Sequence, residues 1–123
     1  MASITVVIGE PPYGKERVYT AFRFALAARF EGHEVRLFLL EDAVFAAKKG
    51  QNPVSIQGLL DGKMPNAGDL LQEVIKQGVE VKCCGVCIKE RGLEQQELLE
   101  GAEVGSMRDL VEWVATTDKS ISF

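Results

Sequence analysis

Apolar and polar positions along the chain fall into two kinds of segment, short β-branched runs and longer stretches with helical spacing. The short runs are nearly continuous in apolar residues and are bounded by Gly, Pro or charged residues, as expected for strands buried inside a sheet. They predict strands at Ser3–Gly9, Glu34–Leu40, Val79–Cys83, Ala102–Ser106 and Lys119–Phe123.

The longer stretches carry apolar residues every three or four positions and predict helices. Their predicted bounds are Glu16–Glu31, Glu41–Gly50, Asn66–Gly78, a short helix that follows the cysteines and ends at Arg91–Gly92, and Met107–Thr116. The segment from Gln51 to Pro65 contains several Pro and Gly residues, which predict a long loop with a helical turn around Ile56–Leu60.

Strands that alternate with helices predict an α/β fold, a three-layer sandwich with a mainly parallel sheet of about five strands and helices on both faces. A single domain over residues 1–123 is expected. The loops that follow parallel strands lie at one edge of the sheet, where ligands bind. We therefore expect Glu10–Lys15, Glu41–Asp42, Cys84–Cys87 and Gly105–Ser106 to converge there.

Composition and net charge argue against some classes of function. The chain has 123 residues, 46% of them hydrophobic, and a formal net charge of -4, which argues against nucleic acid as a strong partner. The first residues, "MASITVVIGEPPYGKE", contain no charged leader, and their apolar run is too short for a signal peptide or a membrane span. We expect a cytoplasmic protein with no membrane partner. Three cysteines in that reducing compartment do not predict a structural disulfide framework.

The stretch "GEPPYGKE" has almost the spacing of a phosphate-binding loop. Such a loop needs consecutive backbone N–H donors and a hydroxyl that ligates magnesium. Pro11 and Pro12 have no N–H group, and Glu16 replaces the hydroxyl with a carboxylate. Nucleotide binding is therefore not predicted, and Glu16 is better explained as an acidic residue in the first turn of a helix.

The stretch "KCCGVC" provides the candidate chemistry. Cys84 ends a strand and begins a helix, where the helix dipole favours the reactive thiolate, and Gly85 removes side-chain bulk beside it. Cys87 lies on the same helix face, and Arg91, one turn further, adds positive charge. Cys83 points to the opposite face and is predicted to belong to the core. The alternative is that all three are buried, unreactive side chains.

A metal site is not predicted. One C-x-x-C pair supplies two ligands, whereas a structural zinc site wants four. His33, the only histidine, precedes the second strand and so lies at the opposite edge of the sheet. No cofactor is predicted either.

Several segments together resemble the DsrE/DsrF/TusD-like family of small sulfur-handling proteins. The resemblance spans nearly the whole chain and is carried by "PYGKE", "AFRFALAA", "LFLLEDAVFAAKKG", "GVEVKCCGVCIKERGL" and a terminal "W…ISF". It implies a sulfur relay in which Cys84 accepts sulfane sulfur as a persulfide. Cys87 matches the second cysteine of the CxxC subgroup, which is absent from the branch that feeds tRNA thiolation.

The resemblance also implies partners and a neighbouring loop. Sulfur-donor and sulfur-acceptor proteins are expected, as is a homo-oligomer, either a trimer or a hexamer. "PPYG" becomes a loop beside Cys84, in which Tyr13 offers its hydroxyl and Gly14 permits the turn.

Three functions stay open at this stage. A sulfur relay requires Cys84 but not Cys87, a dithiol–disulfide oxidoreductase requires both, and an oligomeric scaffold or binding subunit requires neither.

Overall fold

The protein is described by a computed structural model that covers residues 1–53 and 65–123. The strands in these residues are β1 (Ser3–Ile8), β2 (Glu34–Leu39), β3 (Glu80–Cys84), β4 (Ala102–Gly105) and β5 (Lys119–Ser122). The helices are α1 (Arg17–Phe30), α2 (Ala67–Lys76), α3 (Gly85–Glu90) and α4 (Met107–Thr116), with 3₁₀ helices at Glu41–Ala47 and Gln95–Glu97.

All five strands form one parallel sheet in the order β4-β3-β2-β1-β5. The chain first builds the sheet outward from β1 to β4, then crosses through α4 to place β5 on the other side of β1. Helices cover both faces, which confirms the predicted α/β class and the mainly parallel sheet.

The two faces of the sheet have different cores. On one face, α1, α2 and the first 3₁₀ helix pack on the apolar side of β1 to β4 and form the main core. On the other face, α4 packs Leu110 and Trp113 over Phe38 and Cys84. Since side chains alternate along a strand, Cys83 lies in the main core and Cys84 in this second cluster.

Local differences from the predicted elements have local causes. Helix α1 begins at Arg17, so Glu16 is its N-cap residue and not a first-turn acid. The predicted helix after β2 is a 3₁₀ helix that ends at Ala47. The helical turn predicted at Ile56–Leu60 lies outside the described residues. In the described ranges, 1–53 and 65–123, no helix is both long and apolar enough to cross a bilayer.

The turn from β4 into α4 is fixed by a capping box. The Ser106 N–H donates to the Asp109 carboxylate at 2.8 Å, and the Asp109 N–H donates to the Ser106 hydroxyl at 3.1 Å. Two helix N-terminal donors are thereby satisfied, and the start of α4 is held at the carboxyl edge of the sheet, next to the end of β3.

Candidate functional site

A cleft of about 1220 Å³ opens at the carboxyl edge of the sheet, where β2, β3 and β4 end. Its walls come from the end of β2, helix α3, the segment after α3, and the β4–α4 turn. The lining residues are Leu40, Glu41, Cys84 to Lys89, Gly92 to Gln96, and Val104 to Met107. Three of the four loops expected to converge therefore meet here, and the Glu10–Lys15 loop does not line the cleft.

Cys84 lies on the floor of this cleft. It is the last residue of β3 and the N-cap of α3, and it is 5% exposed. Its side chain packs in the cluster with Phe38, Leu110 and Trp113. Cys84 thus rests on apolar side chains and borders a space that a reactant can enter.

Two glycines allow the backbone around Cys84 to pack closely. A Cβ atom on Gly85 would lie 3.1 Å from a methyl group of Val104, and one on Gly105 would lie 3.0 Å from the Lys82 side chain and 3.2 Å from Phe38. From the sequence, Gly85 was expected to ease access to Cys84. The structure adds that Gly85 lets α3 start directly against β4.

Cys87 stands beside Cys84, and its sulfur is held by a backbone amide. The N–H of Glu41 donates to Cys87 Sγ at 3.0 Å. Glu41 has φ +49°, a left-handed backbone conformation that a non-glycine residue adopts only at an energetic cost. Burial and then hydrogen bonding to Cys84 raise the pKa of Cys87, although the Glu41 amide and the Arg91 charge act in the opposite direction.

Arg91 ties α3 to the segment after β2. Its Nε donates to the Asp42 carboxylate at 2.9 Å, and its Nη1 donates to the carbonyl oxygen of Cys87 at 3.2 Å. Consecutive residues, Glu41 and Asp42, thereby hold the side chain of Cys87 and, through Arg91, its backbone. Arg91 adds positive charge near Cys87, as expected from the sequence.

Cys83 is a core residue, as predicted. It has no exposed surface, and burial, together with charge on Cys84, raises its pKa to about 12 from an ordinary value of 9.0. A thiol in this state is not a nucleophile near neutral pH. The candidate chemistry in "KCCGVC" is therefore limited to Cys84 and Cys87.

The raised pKa of Cys83 predicts a pH-dependent loss of stability. Below about pH 9 the Cys83 thiol is protonated in both the folded and the unfolded protein. Between about pH 9 and pH 12 only the unfolded chain releases this proton, so the free energy of unfolding falls as the pH rises. Between about pH 8 and pH 10 we expect the wild type to lose about 1.4 kcal/mol more free energy of unfolding than Cys83→Ala does. Urea unfolding at both pH values measures this difference, and parallel losses in the two proteins would contradict it.

Tyr13 and Gly14 lie outside the lining of the cleft. The Tyr13 hydroxyl donates to Gln51 Oε1 at 2.7 Å and accepts the N–H of Ala67 at 3.2 Å, so it joins the loop after β1 to the start of α2. Gly14 has φ +91°, which suits its predicted role in the turn. The structure thus brings Gly85, Arg91 and the two candidate cysteines together, but not Tyr13 or Gly14.

The second half of the cleft wall was not predicted. Leu93 to Gln96, which include the first two residues of the second 3₁₀ helix, line it, although "GLEQQE" has no helical period and no cysteine or histidine. Glu41–Asp42 was expected at this edge of the sheet, but the hydrogen bond from the Glu41 N–H to Cys87 was not. Every residue other than proline has a backbone N–H, so the sequence does not indicate which one contacts the thiol.

No group of three or more potential metal ligands among His, Cys, Asp and Glu occurs in the part of the chain that the structure describes. His33 immediately precedes β2, and its Nδ1 accepts the N–H of Ala2 at 2.9 Å. That position is at the sheet edge opposite to the cysteines.

Comparison with known proteins gives consistent matches over the full chain. The model of the DsrE/DsrF-like family matches residues 2–123. The uncharacterized protein MK0008 of Methanopyrus kandleri is 53% identical over 98% of this chain and 93% of its own length. YchN of Escherichia coli is 34% identical over 100% of both chains, and its crystal structure superposes with a TM-score of 0.88. MTH1491 of Methanobacterium thermoautotrophicum, a protein of unknown function, has the same fold, with a TM-score of 0.74 at 17% identity over 100% of both chains.

Proposed function

This chain belongs to the DsrE/DsrF-like family, and from that premise we propose that it carries sulfane sulfur as a persulfide on Cys84. The observation that carries the proposal is the position of Cys84 on the floor of the cleft, with a second thiol beside it. Membership of the family fits a sulfur relay at the level of the family. Since Cys83 is fully buried on the opposite face, Cys84 is the stronger candidate of the adjacent pair.

The proposed transfer is a thiol exchange without net oxidation. The Cys84 thiolate attacks the outer sulfur of a donor persulfide, R–S–SH, so that a new sulfur–sulfur bond forms and the donor's own bond breaks. The products are Cys84–S–SH and the thiolate R–S⁻, which takes the electron pair. An acceptor thiolate then attacks the same outer sulfur, and Cys84 leaves as a thiolate.

The place of Cys87 next to Cys84 also favours a second candidate function, a dithiol–disulfide oxidoreductase. In that reaction a thiolate at position 87 attacks the inner sulfur of the Cys84 persulfide, releases hydrosulfide and leaves a Cys84–Cys87 disulfide. This outcome consumes the carried sulfur instead of passing it on.

The proposal includes protein partners that bring and remove the sulfur in the cytoplasm, and a homo-oligomer. Apolar side chains at the mouth of the cleft support docking there. Val86 and Met107 are 65% and 56% exposed, and Val111 on the next turn of α4 is 62% exposed. Apolar exposure of this kind is a common property of surfaces that bind other chains.

Mass spectrometry tests the proposed function directly. The reduced wild-type protein is incubated with glutathione persulfide, and the intact mass and the proteolytic peptides are measured. We expect one added sulfur atom, assigned to Cys84 by fragmentation of the peptide that holds all three cysteines and removed by dithiothreitol. An intact mass that gains no sulfur, or sulfur that maps only to Cys83 or only to Cys87, would contradict the proposal.

A further inference from the structure

We propose that Cys87 acts in the transfer as a thiol that donates a hydrogen bond to the Cys84 sulfur, oriented by the backbone N–H of Glu41, and not as a nucleophile. The inference rests on the proposed function, because it assigns the role of the neighbouring thiol in the same exchange.

The contacts of Cys87 carry this inference. The Glu41 N–H donates to Cys87 Sγ at 3.0 Å, so this sulfur is already an acceptor, and its own hydrogen is left to point elsewhere. Cys87 packs against the same cluster as Cys84. Cys84 precedes the first turn of α3 and Cys87 lies three residues on, which brings the two side chains to one face. The Cys84 sulfur is then the available acceptor for the Cys87 S–H group.

The surroundings also keep Cys87 in the protonated form. Burial and hydrogen bonding to Cys84 raise the pKa of Cys87, and negative charge on Cys84 raises it further. The Glu41 N–H and the Arg91 charge lower the same pKa, but the net direction is upward. A thiol must lose its proton before it attacks sulfur. When discharge leaves negative charge on Cys84, Cys87 therefore keeps its proton and is a suitable donor to that charge.

The donor acts where charge develops on Cys84. During discharge the acceptor attacks the outer sulfur, the bond between the two sulfurs breaks, and the electron pair stays on Cys84 Sγ. The S–H of Cys87 stabilises this leaving thiolate without transferring its proton, so that charge is conserved and Cys84 returns as a thiolate. A hydrogen bond to a charged group is stronger than one between neutral groups.

Glu41 is a positioning residue for this donor. The left-handed φ of +49° directs its N–H toward Cys87, and the ion pair of Asp42 with Arg91 anchors the same segment to α3. The N–H fixes the Cys87 sulfur and polarises its S–H bond. The role belongs to the backbone of Glu41 and not to its carboxylate.

The rate of sulfur discharge separates the two roles of Cys87. Cys87→Ser keeps a hydroxyl donor and Cys87→Ala has none, while neither variant has a nucleophile at position 87. Each protein is loaded with glutathione persulfide, and cyanide is used as the acceptor, with thiocyanate as the product measured. We expect Cys87→Ala to discharge about tenfold more slowly than Cys87→Ser, the usual effect of one hydrogen bond to a charged group.

Three results would overturn the inference in distinguishable ways. Equal discharge by loaded Cys87→Ser and Cys87→Ala would remove the donor role and leave the proposed function intact. A wild-type protein that converts its persulfide to an internal disulfide, with both variants unable to do so, would make Cys87 the nucleophile. A wild type that never loads sulfur would overturn both the proposed function and this inference.

Two further measurements test Glu41 and the proton on Cys87. At left-handed φ a β-branched side chain is strained, so Glu41→Val is expected to discharge more slowly than Glu41→Gln, which also removes the charge. Equal rates in these two folded variants would mean that Glu41 does not position Cys87.

The proton on Cys87 is tested by the pH dependence of discharge. The ratio of the wild-type discharge rate to the Cys87→Ser discharge rate should fall as the pH rises and Cys87 loses its proton, whereas a purely structural role predicts a constant ratio.

Discussion

Cys84→Ser is expected to abolish sulfur loading, leaving only the background of donor decomposition. The variant replaces the Cys84 sulfur, which lines the cleft, with oxygen and changes no other atom of the side chain. A hydroxyl at this position is not ionised near neutral pH and cannot form a persulfide. Intact mass after incubation with glutathione persulfide, compared at several times with the wild type, measures the loss.

Cys83→Ser and Cys87→Ser are the matched controls for this prediction. Each makes the same chemical change within four residues of Cys84. We expect both to load one sulfur atom, although Cys83→Ser places a hydroxyl in the main core and is expected to be less stable. Loading by Cys84→Ser at the wild-type level would show that Cys84 is not the carrier.

The fold was predictable because its signals are local and repeated. Five β-branched runs separated by helical periods leave few arrangements other than a layered α/β structure, and the connections of parallel strands decide which loops share an edge. The same reasoning separated Cys83 from Cys84, since adjacent residues of a strand face opposite sides. These inferences depend on periodicity alone and tolerate an error of one residue in a boundary.

The parts that were not predicted depend on distances between remote residues. The Tyr13 hydroxyl was expected beside Cys84 by resemblance. In the structure it instead joins Gln51 and Ala67, because β1 lies two strands away from β3 and the Glu41 segment stands between them. The contact between Glu41 and Cys87 joins residues 46 positions apart through a backbone atom. No pattern of residue types encodes such a contact.

The cluster beneath Cys84 predicts a large effect on stability. Phe38 has no exposed surface and packs edge-to-face on Trp113, with ring centroids 5.8 Å apart and an interplanar angle of 89°. Phe38→Ala should lower the free energy of unfolding by about 3–5 kcal/mol, since it removes buried apolar surface and leaves a cavity between the sheet and α4. Urea unfolding at fixed protein concentration measures the change.

Phe30→Ala is the control for Phe38→Ala, because it makes the same truncation on a side chain that is 73% exposed. It should change the free energy of unfolding by no more than about 0.5 kcal/mol.

The cavity that Phe38→Ala leaves also adjoins Cys84, so iodoacetamide should modify Cys84 several times faster in Phe38→Ala than in the wild type. Cys83, on the other face, should stay unmodified in both folded proteins. Similar losses for the two phenylalanine variants, or an unchanged rate at Cys84, would mean that Phe38 does not support the floor of the cleft.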